Sequence, residues 1–298
     1  MAEVAHQIKL ITQQTAIKDY ERFCKISCDK INPRSRVGNN ALDFLFFPHR
    51  LMTKSKRNIN FIDWLETSDR TKPYIQRFLT YAIKHGRSEI KALYDAFCLY
   101  FGSINSFNPN VARKLYYQYK PTTILDISAG WGGRCLAAMS LDINYIGFDT
   151  NVSLQSAYKS LLDLYPTKSE IRIFFEDSSK VDYSLYKYDM VFTSPPYYTK
   201  HMVETYENMP SYVSKEDFNT RFFYPVIKNT FNHLMPGGIY ALNIPTDMYD
   251  DIKSILGEAS IITPLTFFNR NAGQYNRNVG QYKEYIYIWK KITTCCHL

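Results

Sequence analysis

The sequence predicts an α/β protein: a seven-stranded, mainly parallel sheet with an antiparallel last strand, preceded by a basic, helical N-terminal region. Three observations predict it. Past residue 120, short β-rich apolar runs alternate with helical segments, as in βαβ units that build a parallel sheet. The last two runs leave no room for a crossover helix between them, so the final strand turns back. Before residue 120, apolar residues recur at helical rather than alternating spacings.

The elements follow in order. From Ala2 to about Lys30, Val4, Ile8, Ile11, Ala16, Tyr20, Phe23 and Ile26 predict one long amphipathic helix. Asn32-Pro33 ends it, because the residue before proline is pushed out of the helical region. Residues 34–58 read as irregular and basic, with Arg34, Arg36, Arg50, Lys54, Lys56 and Arg57 interrupted by Phe44, Phe46 and Phe47. Shorter helices are expected near 60–68, 73–85 and 88–101. The strands are TILDIS (123–128), NYIGFD (144–149), IRIFFE (171–176), DMVFTS (189–194), GIYALNI (238–244), IITPLTF (261–267) and EYIYIWK (284–290). We place the boundary between a basic helical region, 1–104, and an α/β domain, 105–298.

Composition narrows the class. Of 298 residues, 45% are hydrophobic and 21% charged, which suits a globular protein and not a disordered one. No apolar run reaches the ~18 residues that would cross a bilayer, and the first ten residues lack a basic-then-apolar leader. A soluble, intracellular protein (cytoplasm or nucleus) that does not engage a membrane is expected. The six cysteines form no paired metal-binding knuckles, and adjacent Cys295, Cys296 and His297 make a poor ligand set, so no metal is expected. The net charge of +8 is unevenly spread. Residues 1–119 hold 19 Lys and Arg against 10 Asp and Glu, whereas the remainder hold 17 against 18. A segregated basic segment suits docking on a polyanion, so nucleic acid is the expected partner.

Chemistry concentrates where strands end. The segment Asp126-Ile-Ser-Ala-Gly130-Trp-Gly132-Gly133-Arg134 follows the first strand and opens a helix, where glycines admit close approach and helix N–H groups are unpaired. Asp149 ends the second strand, where a carboxylate can accept both hydroxyls of a ribose. Glu176-Asp177-Ser178 follow the third, placed to read an adenine edge. These strand ends form one crevice on the carboxyl side of the sheet.

DxxxGxG, then GFD, then an acidic residue after the third strand resemble the cofactor motifs of class I methyltransferases, and the seven runs resemble their Rossmann-like fold. The turn departs from a nicotinamide GxGxxG, having no third glycine at the required offset. The resemblance implies S-adenosylmethionine as cofactor. It places Ser128, Ala129, Gly130, Trp131 and Gly132 around the methionine moiety, Asp149 on the ribose and Asp177 with Ser178 at the adenine. Asp126, Thr193 and Phe107, which opens an FxP motif before the first strand, complete the implied set.

Thr193-Ser194-Pro195-Pro196-Tyr197-Tyr198 ends the fourth strand. Two successive prolines remove two N–H donors and fix φ, leaving carbonyls without ladder partners. An exocyclic base amine is a poor nucleophile because its lone pair is conjugated with the ring. Two acceptors, the Ser194 hydroxyl and the Pro195 carbonyl, can hold its hydrogens and favour a pyramidal nitrogen. Tyr197 is expected to stack on a flipped base. This run is similar to the (D/N/S)PP(Y/F/W) motif of amino-methyltransferases acting on cytosine N4 or adenine N6, and the SPPY form implies cytosine N4. Ser194, Pro195, Pro196 and Tyr197 are then the catalytic set. No cysteine follows a proline, which excludes the nucleophile that carbon-5 methylation needs. The motif order resembles the gamma arrangement, and Trp131-Gly-Gly-Arg134 resembles methyltransferases of large DNA viruses.

The loop between the last two strands holds a tandem repeat, NRNAGQY (269–275) followed by NRNVGQY (276–282). Arg270, Asn271 and Arg277 are candidate readers of base edges, with Tyr198 on the catalytic side. The expectation is a methyltransferase acting on DNA as a monomer or homodimer. The alternatives are adenine N6, RNA, a protein side-chain amide, and a silent methyltransferase-like binding subunit.

Overall fold

The computed structural model describes residues 1–54, 57–200, 204–264 and 284–292. Seven strands form one sheet: β1 (Thr123–Asp126), β2 (Asn144–Phe148), β3 (Ile171–Phe174), β4 (Met190–Thr193), β5 (Ile239–Pro245), β6 (Ile261–Pro264) and β7 (Glu284–Lys290). Their order is β3-β2-β1-β4-β5-β7-β6. The first five run parallel, and β7 runs antiparallel to β5 and β6. This is the Rossmann-like, mainly parallel sheet predicted from the sequence. All seven predicted runs form strands.

The helices are α1 (Ala2–Lys9), α2 (Gln13–Lys25), α3 (Asn39–Met52), α4 (Phe61–Leu65), α5 (Pro73–Lys84) and α6 (Glu89–Phe101). They continue with α7 (Pro109–Tyr119), α8 (Gly133–Met139), α9 (Gln155–Leu164), α10 (Lys215–Phe218), α11 (Tyr224–His233) and α12 (Thr246–Leu256). The chain divides into two compact units. The first holds 1–25, 37–107 and 153–165; the second holds 26–36, 108–152 and 166–298.

In the first unit, two sequence expectations are corrected. The single long helix is broken at Leu10, which takes a left-handed φ of 53°, and α2 ends at Lys25. The stretch expected to be irregular contains α3, fourteen residues long. Its Ala41, Leu42, Leu45, Phe46, Phe47 and Leu51 are buried, and that burial holds a helix through Pro48. One carboxylate oxygen of Asp19 on α2 accepts N–H bonds from Gly38, Asn40 and Ala41 at 2.9, 2.9 and 3.3 Å, capping the start of α3. A core of Phe47, Phe61, Trp64, Ile75, Phe97 and Phe101 joins α3 to α6. α9 packs here as well: Tyr165 stacks on Tyr20 at 4.8 Å and donates to the Ala41 carbonyl, while Tyr158 meets Phe46 edge-on.

The second unit carries the sheet. Leu125, Ile146, Val191, Leu242, Ile244 and Tyr287 pack with Phe222, Phe223, Ile227, Met248 and Ile252 of the helical layer. Asp189, just before β4, accepts the N–H groups of Thr122 and Thr123 and so fixes the entry of β1. The carboxyl ends of β1, β2, β4 and β5 therefore lie along one edge. Among the described residues no helix is long and apolar enough to cross a membrane.

Candidate active site

The turn after β1 is held from below. Asp126 is fully buried and pairs with Arg134 at the start of α8, the guanidinium Nε lying 2.5 Å from its carboxylate. Tyr145 on β2 donates to the same carboxylate at 2.5 Å, and Arg134 also donates to the Ser128 carbonyl. Burial works against the Arg134 charge, but attraction to Asp126 outweighs it and raises its pKa. Asp126 thus lies under the turn rather than lining it, a correction to its expected contact with a cofactor. Gly130 and Gly132 take φ values of 58° and 74°, which a side chain would strain. Gly147 on β2 is needed for a different reason: an added Cβ would lie 2.7 Å from the Tyr145 ring and 2.9 Å from Ile173.

Asp149 follows β2 and is half-buried. One of its oxygens accepts the Gly130 N–H at 2.7 Å and the other the Asn151 N–H at 2.9 Å. Burial raises its pKa, and these two N–H groups only partly offset the effect. Ala129 is buried and its N–H donates to the Phe148 carbonyl; Trp131 is half-buried beside it. Ser178 donates to the Ile127 carbonyl at 2.5 Å, tying the loop after β3 to the turn. Asp177 caps its own 3₁₀ turn by accepting from Ser179, so that carboxylate oxygen already serves the loop.

The double-proline corner is bonded directly to the glycine turn. The Ser128 hydroxyl lies 2.8 Å from the Thr193 hydroxyl and donates to the Ser194 carbonyl at 2.8 Å. Among the described residues no hydrogen bond is donated to the Pro195 carbonyl. Pro195 is buried and Pro196 half-buried. Tyr197 differs from expectation. Its ring is 6% exposed and packs in the core, while its hydroxyl donates to the Asn243 carbonyl at 3.1 Å. A buried ring whose tip is tethered to β5 offers no open face for stacking on a base. Tyr198 is half-buried and lays one face on Phe218, with ring centroids 5.4 Å apart.

The structure brings Ser128, Ala129, Gly130, Thr193, Ser194, Asp149 and Ser178 together through these bonds. Phe107 falls in the first unit. Arg270, Asn271 and Arg277 lie outside the described residues, as do His201, Cys295, Cys296 and His297. Three residues were missed. Arg134 shapes the turn from beneath it. Glu204 accepts the Tyr197 N–H at 3.0 Å and donates its own N–H to the Tyr197 carbonyl at 2.8 Å, holding the chain beyond the corner. Asn243 is 2% exposed, and its amide donates to Tyr197 at 2.5 Å and to Ser194 at 3.2 Å. A lone asparagine in the otherwise apolar run GIYALNI was the available signal.

No protein-family model matches the chain, and no curated protein matches its sequence. Among solved structures it is similar to TrmN from Thermus thermophilus, at 14% identity and a TM-score of 0.42, over 62% of this chain and 49% of that one. It is also similar to an rRNA methylase from Streptococcus thermophilus, at 11% identity and a TM-score of 0.40, over 64% and 99%. A third is the T. thermophilus 16S rRNA N2 G1207 methyltransferase RsmC in complex with AdoMet and guanosine, at 16% and 0.40, over 64% and 44%. The chain spans about half the length of TrmN.

Proposed function

We propose that this chain is an S-adenosylmethionine-dependent methyltransferase that modifies an exocyclic amine of a nucleobase in DNA, cytosine N4. The observation that carries the reading is the bond from Ser128, in the glycine turn, to the Ser194 carbonyl of the SPPY corner. It supports the reading because it joins the glycine turn to the double-proline corner.

The residues present fit the cofactor. Among the described residues each Asp149 oxygen accepts one N–H and keeps a lone pair, the acceptor pair that two vicinal ribose hydroxyls require. Gly130 and Gly132 bring bare backbone to the turn. When bound, S-adenosylmethionine supplies an electrophilic methyl group on a sulfonium. The protein's own part is positioning. The Ser194 hydroxyl and the Pro195 carbonyl accept the two amine hydrogens and turn the nitrogen lone pair out of conjugation, while Pro195 and Pro196 fix the corner. The basic region, residues 1–104, would dock on phosphates, and residues 105–298 would form the catalytic domain.

Two measurements test the reading. Titration calorimetry should show S-adenosylmethionine binding, weakened about tenfold or more in Asp149→Ala. Pro195→Ala should abolish methyl transfer while cofactor binding persists. Unchanged cofactor affinity in Asp149→Ala would refute that assignment.

A further inference from the structure

Resting on the amine-accepting reading above, we infer that Tyr197 and Asn243 act as a positioning pair that makes the Ser194 hydroxyl a one-way hydrogen-bond acceptor. Four contacts link the three residues. The Asn243 side-chain nitrogen reaches the Tyr197 hydroxyl at 2.5 Å and the Ser194 hydroxyl at 3.2 Å. The Tyr197 hydroxyl reaches the Asn243 backbone carbonyl at 3.1 Å, and the Ser194 and Tyr197 hydroxyls lie 2.9 Å apart. Four hydrogens are available to fill them: two on the amide, one on the phenol and one on the serine.

Only one assignment satisfies all four contacts at once. The amide hydrogens go to Tyr197 and Ser194. A carbonyl can only accept, so the phenol hydrogen goes to the Asn243 backbone. The remaining contact, between the hydroxyls, has to be donated by Ser194. Its hydrogen is thereby turned inward, one lone pair is filled by Asn243, and one lone pair is left. Ser194 is partly exposed, whereas Asn243 and Tyr197 are buried, so that lone pair is the valence a ligand can reach. A group placed there must bring a hydrogen. An amine fits; a carbonyl oxygen at the same position meets a lone pair and is rejected.

Among the described residues the Asn243 side-chain oxygen is buried without a hydrogen-bond partner, so the amide is held by its nitrogen alone. Asn243 is placed for it by register: Thr193 pairs with Leu242, so Asn243 lies beside Ser194 at the carboxyl ends of β4 and β5. Tyr197 supplies polarity, because its oxygen is the inward acceptor for the serine hydrogen. Asn243 supplies direction, because it fills the competing lone pair.

The test compares the full-length protein with Tyr197→Phe and Asn243→Leu, each checked for an unchanged thermal melt. Matched single-stranded DNA oligonucleotides carrying one cytosine or one uracil serve as binding probes, and S-adenosylmethionine affinity is measured separately. Wild-type protein should favour cytosine by about tenfold or more. In Tyr197→Phe the serine hydrogen has no inward acceptor and turns outward, so the preference should fall towards one with cofactor affinity intact. Asn243→Leu should keep the preference but slow transfer, lowering kcat more than it raises KM. If Tyr197→Phe keeps the wild-type preference, the inference is wrong, even if methyl transfer stands. If wild-type protein discriminates and Tyr197→Phe does not, yet S-adenosylmethionine never binds, the methyltransferase reading fails and the one-way acceptor survives.

Discussion

The proposed function requires Asp149 to hold ligand hydroxyls as a carboxylate, while burial shifts it towards the protonated form. Burial raises its pKa above the ordinary value near 3.8, with the Asn151 and Gly130 N–H groups pulling the other way. A raised acid binds a proton more readily in the fold than in the unfolded chain, so its ionisation removes stability as pH rises through the folded value. Ligand hydroxyls that bond the carboxylate favour the ionised form. We therefore expect cofactor affinity to fall on acidification at a pH above that at which an exposed aspartate titrates, and the fall to vanish in Asp149→Asn. Calorimetry across acidic pH checks this. Gly147 bears on the same spot by shape alone. Gly147→Ala drives a methyl against Tyr145 and Ile173 while Tyr145 is pinned to Asp126, so we expect a loss of about 1–3 kcal/mol in denaturant unfolding.

At the scale of elements, the glycine turn after β1 depends on α8 as much as on its own glycines. Arg134 is 5% exposed at its side chain and Asp126 not at all, so removing one partner strands a buried charge. Arg134→Met should cost about 3–5 kcal/mol and weaken cofactor binding, whereas the double replacement Asp126→Leu with Arg134→Met should cost less. A double-mutant cycle in urea measures it. Strands were legible because their signal is local: TILD, NYIGF and MVFT are short β-branched or aromatic runs between turn residues. The breaks were not. Leu10 carries no turn chemistry, yet it takes the left-handed conformation that separates α1 from α2. α3 hid behind Pro48 and its basic neighbours, and a distant carboxylate, Asp19, caps it. In the site, the glycines announce themselves by freeing the backbone to take positive φ and the double proline by fixing it. Asn243 acts through partners remote in sequence that only the fold brings near, and Arg134 and Glu204 through partners six to eight residues away across turns whose path no local pattern gives. Tyr197 was visible, but which way its ring faced depended on β5.

At the scale of the whole chain, residues 1–119 carry the surplus of positive charge and the remainder is near neutral, so on the proposed reading the first part would hold the nucleic acid. Affinity for a nucleic acid duplex should therefore fall linearly with salt on a log–log plot, with a slope of about −0.9 per phosphate contacted. Replacing Arg34, Arg36, Lys54 and Arg57 by glutamine should flatten that slope while leaving S-adenosylmethionine affinity unchanged. Fluorescence anisotropy between 50 and 200 mM salt, the ~fourfold range over which such contacts are most visible, provides the reading.

The central claim, that the SPPY corner presents a base amine to a methyl donor, is tested most directly by mass spectrometry of nucleosides. The full-length protein is incubated with S-adenosylmethionine carrying an isotopically labelled methyl group and, separately, with DNA and RNA. The expected result is label on cytosine N4 from DNA, absent in Pro195→Ala. Label on a base carbon, or on no nucleobase while the cofactor binds, would contradict it.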